Sequence, residues 1–147
     1  MNDCYRLDVI SKLSEITPSE WNSLLDPNSS PFLKHEFLNT LELTGCVGKD
    51  TGWQVSHLCL RENERLIGAI PLYLKYHSYG EYVFDWSWAQ AFEQAGGHYY
   101  PKMLSAIPFT PAQGTRLLCA ADKNKAEIHK LLIEGLKSLV VQNNLQL

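Results

Sequence analysis

The feature that most restricts how this chain can fold is a pair of apolar runs flanking a charged pentapeptide. Residues 53–60 (WQVSHLCL) and 66–75 (LIGAIPLYLK) carry strand-forming side chains on either side of the charged residues 61–65 (RENER). That arrangement predicts two antiparallel strands joined by a short turn. Pro71, inside the second run, has no N–H to give to a ladder, so an edge or a bulge is expected there. A hairpin in mid-chain obliges the flanking segments to add strands beside it or helices across it.

The segments before and after the hairpin fit that demand. Residues 4–10 alternate, with Tyr5, Leu7 and Val9 on one side and Arg6, Asp8 and Ile10 on the other, as in a strand with one wetter face. Thr17-Pro18-Ser19-Glu20 carries the elements of a capping box with proline at the first helical position, so a short helix through Leu25 is expected. Ser30 and Pro31 begin a second helix, with Phe32, Phe37, Leu38 and Leu41 at helical spacing and Gly45 at its C-cap. Beyond the hairpin, residues 88–95 can form a helix stopped by Gly96-Gly97. Residues 103–109 and 116–120 read as strands, and Asp122 as the N-cap of a helix over residues 123–143. That helix has an apolar stripe of Ile128, Leu131, Leu132, Leu136, Leu139 and Val140 to lay on the sheet. Residues 145–147 resemble the start of a further strand. The expected class is therefore α/β in the broad α+β sense: a mixed, largely antiparallel sheet flanked by helices, in the order β-α-α-β-β-β-α-(β).

At 147 residues and 45% apolar content the chain has the size and material for one domain, and no linker or repeat divides it. A net charge of -3 argues against autonomous nucleic-acid binding through phosphate neutralisation. Cys4, Cys46, Cys59 and Cys119 are scattered without a C-x-x-C pair, which predicts reduced thiols and no zinc site. No leader and no run of about 18 apolar residues is visible, so a cytoplasmic protein without a membrane span is expected.

Candidate chemistry concentrates between Tyr73 and Pro111. Ten aromatic rings from Tyr73 to Tyr100 alternate there with His77, Glu81, Asp85, Glu93 and His98, which suggests a ring-walled cleft with charges inside. Glu81 and Asp85 are candidates for a general base or substrate orienter, with His77 as polar partner, because ring-rich surroundings desolvate a carboxylate. The alternative is that the carboxylates bond backbone amides and tyrosine hydroxyls and hold the loop in shape. Tyr79, Tyr82, Trp86, Trp88 and Tyr100 are candidate cleft walls, Trp86 and Trp88 sharing a face if the segment is extended. Lys75 and Lys102 flank the segment and, with Arg116, are candidate holders of an anionic group. His77 and Glu81 are four apart, but Tyr79 and Gly80 argue against the helix a metal pair would need, and no metal is expected.

The run HSYGEYVFDWSWAQAF, with YYPK and AIPFTP after it, resembles the FemAB-like family of bacterial proteins related to GNAT acyltransferases. The resemblance extends through PFLKHEFLNTLELTG, TGWQVSHL and GAIPLYLK to GTRLL, roughly Trp21 to Leu118. It implies a GNAT-like domain over residues 1–147, equivalent to the N-terminal half of a two-domain protein. It also implies transfer of an acyl or aminoacyl group to an amine, with a peptidoglycan precursor as acceptor and acetyl-CoA or aminoacyl-tRNA as donor. GNAT proteins that bind acetyl-CoA carry a Q/R-x-x-G-x-G/A run, whereas Ala112-Gln113-Gly114-Thr115-Arg116 offers one glycine, so acetyl-CoA is not expected to bind in the usual way. The rival expectation is a non-catalytic binding or oligomerisation domain, pairing with a second copy or with the missing half.

Overall fold

The computed structural model describes residues 4–81 and 85–145. Strand β1 (Tyr5–Ile10) leads through a 3-10 turn into helix α1 (Pro18–Asn22), and a second 3-10 turn precedes α2 (His35–Leu43). Strands β2 (Trp53–Val55), β3 (His57–Glu62), β4 (Arg65–Ile70) and β5 (Tyr73–Lys75) follow, then α3 (Trp86–Gln94) and β6 (Lys102–Leu104). Strand β7 (Leu118–Cys119) and helix α4 (Lys125–Gln142) complete the described fold, which is α+β.

The capping box forms as the sequence requires: Thr17 Oγ1 accepts from Glu20 N at 3.2 Å and the Glu20 carboxylate accepts from Thr17 N at 3.1 Å. Helix α1 nevertheless stops at Asn22, short of Leu25, and the Ser30-Pro31 start yields a 3-10 turn before α2. Asp122 is not the N-cap of α4. Its carboxylate pairs with Arg65 at 2.6 Å, and Asn124 caps the helix by accepting from Glu127 N at 3.1 Å.

The main departure from the expected order lies in the hairpin. Each of its long runs breaks in two, and the halves belong to two antiparallel sheets, β1-β3-β4-β7 and β2-β5-β6. Pro71 marks the break between β4 and β5, where its missing N–H does no harm. The matching break, at Ser56, is bridged by Ser56 N donating to Leu72 O at 3.0 Å. His57 completes the repair: its Nδ1 accepts from Leu72 N at 3.0 Å, satisfying a donor that the ladder leaves behind. The strand expected over residues 103–109 likewise ends at Leu104, and the following residues form bends and turns.

Helix α4 lies on β3, β4 and β7 with Ile128, Leu132 and Leu136 buried. Gly68 permits the approach, because a Cβ there would stand 2.8 Å from Ile128 Cγ2. Trp21, Leu33 and Leu38 fill the same core from the α1–α2 segment, and Trp21 Nε1 donates to Leu33 O at 2.9 Å. A smaller core of Val47, Trp53, Val55 and Tyr73 sits under the second sheet. All four cysteines are free thiols, with Cys59 buried. Among the described residues no helix is long and apolar enough to cross a membrane.

Candidate functional site

The small sheet sets two lysines side by side. Its register pairs Trp53 with Lys75 and Lys75 with Lys102, so an indole and two ammonium groups form a row across three strands. Both lysines are buried, Lys75 completely. Two adjacent buried cations repel each other and lose hydration, so such a row persists only with compensation from opposite charge.

Glu81 supplies that charge. Its carboxylate lies between the two ammonium groups, 3.1 Å from Lys102 Nζ and 3.8 Å from Lys75 Nζ. Gly80 allows the loop to reach this position: at a φ of 80°, a Cβ would lie 2.4 Å from the Phe109 ring and 2.7 Å from Trp53 Nε1. Trp53 Nε1 donates to Tyr79 O at 3.0 Å, and Phe109 N donates to Gly80 O at 3.0 Å, fixing the loop on both sides. Lys75 Nζ donates to Tyr79 O at 2.6 Å and stands 3.7 Å above the Trp53 ring, a cation–π contact away from water.

Asp85 completes the cluster from the start of α3. It occupies the N-cap position but makes no capping bond; instead its Oδ2 accepts from Lys102 Nζ at 2.5 Å and from Tyr99 OH at 2.6 Å. Lys102 also faces the Tyr99 and Tyr100 rings at 5.1 and 5.6 Å, and Tyr100 OH is hydrogen-bonded to buried Ser78. Burial acts to raise the Asp85 carboxyl, but the hydrogen bonds from Lys102 and Tyr99 outweigh it and hold the group below its ordinary value. The Lys102 ammonium is likewise held above its usual range, its carboxylate partners overcoming the opposing effect of burial.

Lys75 differs. Burial lowers its ammonium to about 8, with Glu81 opposing that shift and Lys102 adding to it. A lysine whose folded value lies below its unfolded one makes the fold gain stability as pH rises from about 8 toward about 10.5, because only the unfolded chain still holds the proton. The Lys75 side-chain 13Cε signal, assigned by its loss in Lys75→Met, is expected to titrate with a midpoint near 8. A midpoint near the ordinary value of about 10.4 would mean that the ammonium is hydrated.

The two carboxylates thus differ in kind. Asp85 is filled by two strong donors, whereas Glu81, with a side chain only 9% exposed, has an Oε1 that receives no hydrogen bond. His77 joins neither carboxylate among the described residues: its Nδ1 accepts from Tyr79 N at 3.1 Å and its ring lies against Gly52. It lines a separate cleft of about 620 Å³ with Lys49, Gln54 and Tyr76. Trp86 and Trp88 do not share a face, because residues 86–94 are helical and positions two apart diverge on a helix. Trp86 meets Tyr79 edge to face at 5.1 Å, while Trp88 is 74% exposed. Tyr82 lies outside the described residues. Arg116 lines another cavity, shared with Glu81. The segment before it runs irregularly, without a helix start, and folds its carbonyls around the guanidinium.

Lys75, expected only as a flanking holder of an anionic group, is instead fully buried against Glu81 and the Trp53 ring. The usable signal is its spacing from Tyr73: two residues apart in a strand, they share a face, and Tyr73 is fully buried.

A family model described as peptidoglycan biosynthesis/recognition matches residues 12–147. No curated protein and no solved structure matches the chain.

Proposed function

The chain belongs to the FemAB-like family, and from that premise we propose that it takes part in N-acyl or aminoacyl transfer to an amine of a cell-wall precursor, with Glu81 receiving the amine. One observation carries the reading: Glu81 is a nearly buried carboxylate fixed by two lysines, with one oxygen left without a hydrogen-bond donor. An acceptor amine has N–H groups to give to that oxygen. In acyl transfer the nitrogen attacks the acyl carbonyl carbon, the C–N bond forms, the bond to the donor's leaving group breaks, and a proton leaves the nitrogen. Glu81 orients the amine and takes that proton. Lys102, pinned by Asp85, keeps the Glu81 carboxylate in place throughout. Asp85 is then a positioning residue, already committed to Lys102 and Tyr99. The aromatic side chains of Tyr79, Trp86 and Tyr100 present ring surfaces around the same loop, suited to the apolar parts of a precursor, and Trp88 offers a further exposed ring on α3.

The test is an amide-formation assay on the whole protein. A muropeptide precursor with a free amine is supplied, first with aminoacyl-tRNA and then with an acyl-CoA as donor, and the product is read by mass spectrometry. The expected result is an added acyl or aminoacyl mass with one of the donors, lost when the acceptor amine is acetylated beforehand. No mass increase with either donor overturns the reading.

A further inference from the structure

Arg116 and Glu81 line one cavity of about 360 Å³, together with Trp53, Leu104, Ile107 and Pro111. The guanidinium is held from behind by carbonyls alone: Nη2 donates to Ala112 O at 2.6 Å, and Nη1 to Gly114 O at 3.2 Å and Thr115 O at 3.3 Å. No carboxylate of the described residues pairs with it, and burial alone lowers its pKa. A guanidinium has five N–H donors, so Nε–H and one Nη2–H remain to be given. Glu81 also lines this cavity, its side chain about nine-tenths buried, with an Oε1 that lies 3.8 Å from Lys75 Nζ and receives no hydrogen bond. Two opposite charges thus line one small cavity, each fixed by the protein and each with unused bonding capacity, and they are not joined to each other.

We infer that this cavity is a binding site for a small zwitterion, an amino acid or short peptide whose carboxylate is taken by Arg116 and whose ammonium is taken by Glu81. Such a ligand offers an acceptor where the protein has spare donors and donors where it has a spare acceptor, so neither group is left desolvated without a partner. The apolar residues that line the cavity fit the short hydrocarbon part of such a molecule, and the cavity falls within the size range of small-ligand sites. The inference rests on the acceptor reading of Glu81 for its chemistry and gives the acceptor a second feature, a carboxylate near the reacting amine.

The experiment is calorimetric titration of the chain with alanine, dialanine and trialanine, and then with the C-terminal amide and the N-acetyl form of whichever binds most tightly. At least one free-ended compound is expected to bind with a Kd below about 1 mM. Its amide and its N-acetyl form are each expected to bind at least about tenfold more weakly, the loss of one charge-assisted contact. Arg116→Gln is expected to reduce the free-ended compound to the affinity of its amide while leaving the amide itself unchanged, a pattern that simple unfolding does not produce. Absence of saturation below about 1 mM, equal affinity for all three forms, or an Arg116→Gln protein that still prefers the free carboxylate overturns the inference. Because binding is read without turnover, zwitterion binding with no amide formation would leave this site standing and remove the transferase reading. Amide formation without zwitterion binding would do the reverse.

Discussion

Lys102→Met is expected to lower the free energy of unfolding by about 3–5 kcal/mol, the range seen when one partner of a buried charge pair is removed. The lysine side chain is 8% exposed and faces two carboxylates, Glu81 at 3.1 Å and Asp85 at 2.5 Å. Methionine fills much of the same volume, so the loss is one of charge and hydrogen bonding. It leaves Glu81 with Lys75 at 3.8 Å, beyond hydrogen-bond reach, and Asp85 with Tyr99 alone. Urea denaturation at neutral pH measures the effect. The double variant Lys102→Met/Glu81→Gln is expected to recover more than half of the loss, since the carboxylate stranded by the first change is removed by the second. A pH series adds an independent check. The Asp85 carboxyl is held below its ordinary value in the fold, so its contribution is complete above the unfolded pKa and is lost as pH falls through the folded one. Lys102→Met should flatten that acid limb. A single-variant loss under about 1 kcal/mol would show that the cluster is hydrated and adds little to the fold.

Much of the architecture is legible in the residues, and what is not has an identifiable cause. The hairpin, the capping box at Thr17, the Gly45 stop and the α4 stripe are local patterns, decided within a few residues of themselves. The split of both hairpin strands between two sheets is half legible: Pro71 announces its own break, but Ser56 carries no signal, because that break answers to the strand beside it. Asp122 and Asn124 are both acceptable N-caps, and the choice falls to a distant residue, Arg65, which claims Asp122.

The same distinction governs the site. Ring density and interleaved carboxylates single out residues 73–111, and the structure brings Glu81, Asp85, Tyr100 and Lys102 together there. The convergence itself depends on strand register, which places Lys75 against Lys102 across β5 and β6. No property of either lysine taken alone reveals that pairing, and a lone lysine at a strand end normally reads as solvated. Trp86 and Trp88 part because the chain turns helical just after Asp85, before the Gly96-Gly97 signal that marks the other end of α3. Arg116 is visible in the sequence as a basic residue beside a glycine. Its lack of a carboxylate partner, the property that matters, exists only once the loop folds around it.

Glu81→Gln is expected to reduce kcat/KM for amide formation by about 10²–10⁴-fold, the usual contribution of a positioned proton acceptor. Glutamine keeps the side chain's shape and can still accept from Lys102, so the substrate cavity keeps its walls. What is lost is the negative charge, and with it the ability to take a proton from the acceptor nitrogen. Asp85→Asn is expected to act more weakly, by about tenfold, because it reaches the reaction only through Lys102 and Tyr99. The two variants should also differ in kind. Glu81→Gln should lower kcat more than it raises KM, because the proton is taken in the transition state. Asp85→Asn should act on both parameters, because Asp85 holds the Lys102 that fixes the Glu81 carboxylate. Each assay is run well below the variant's Tm, so that loss of fold does not count as loss of chemistry. If Glu81→Gln keeps its activity within threefold of the unaltered protein, as estimated against the contribution of a proton acceptor, then the carboxylate's place between Lys75 and Lys102 is structural. The proton acceptor must then lie elsewhere.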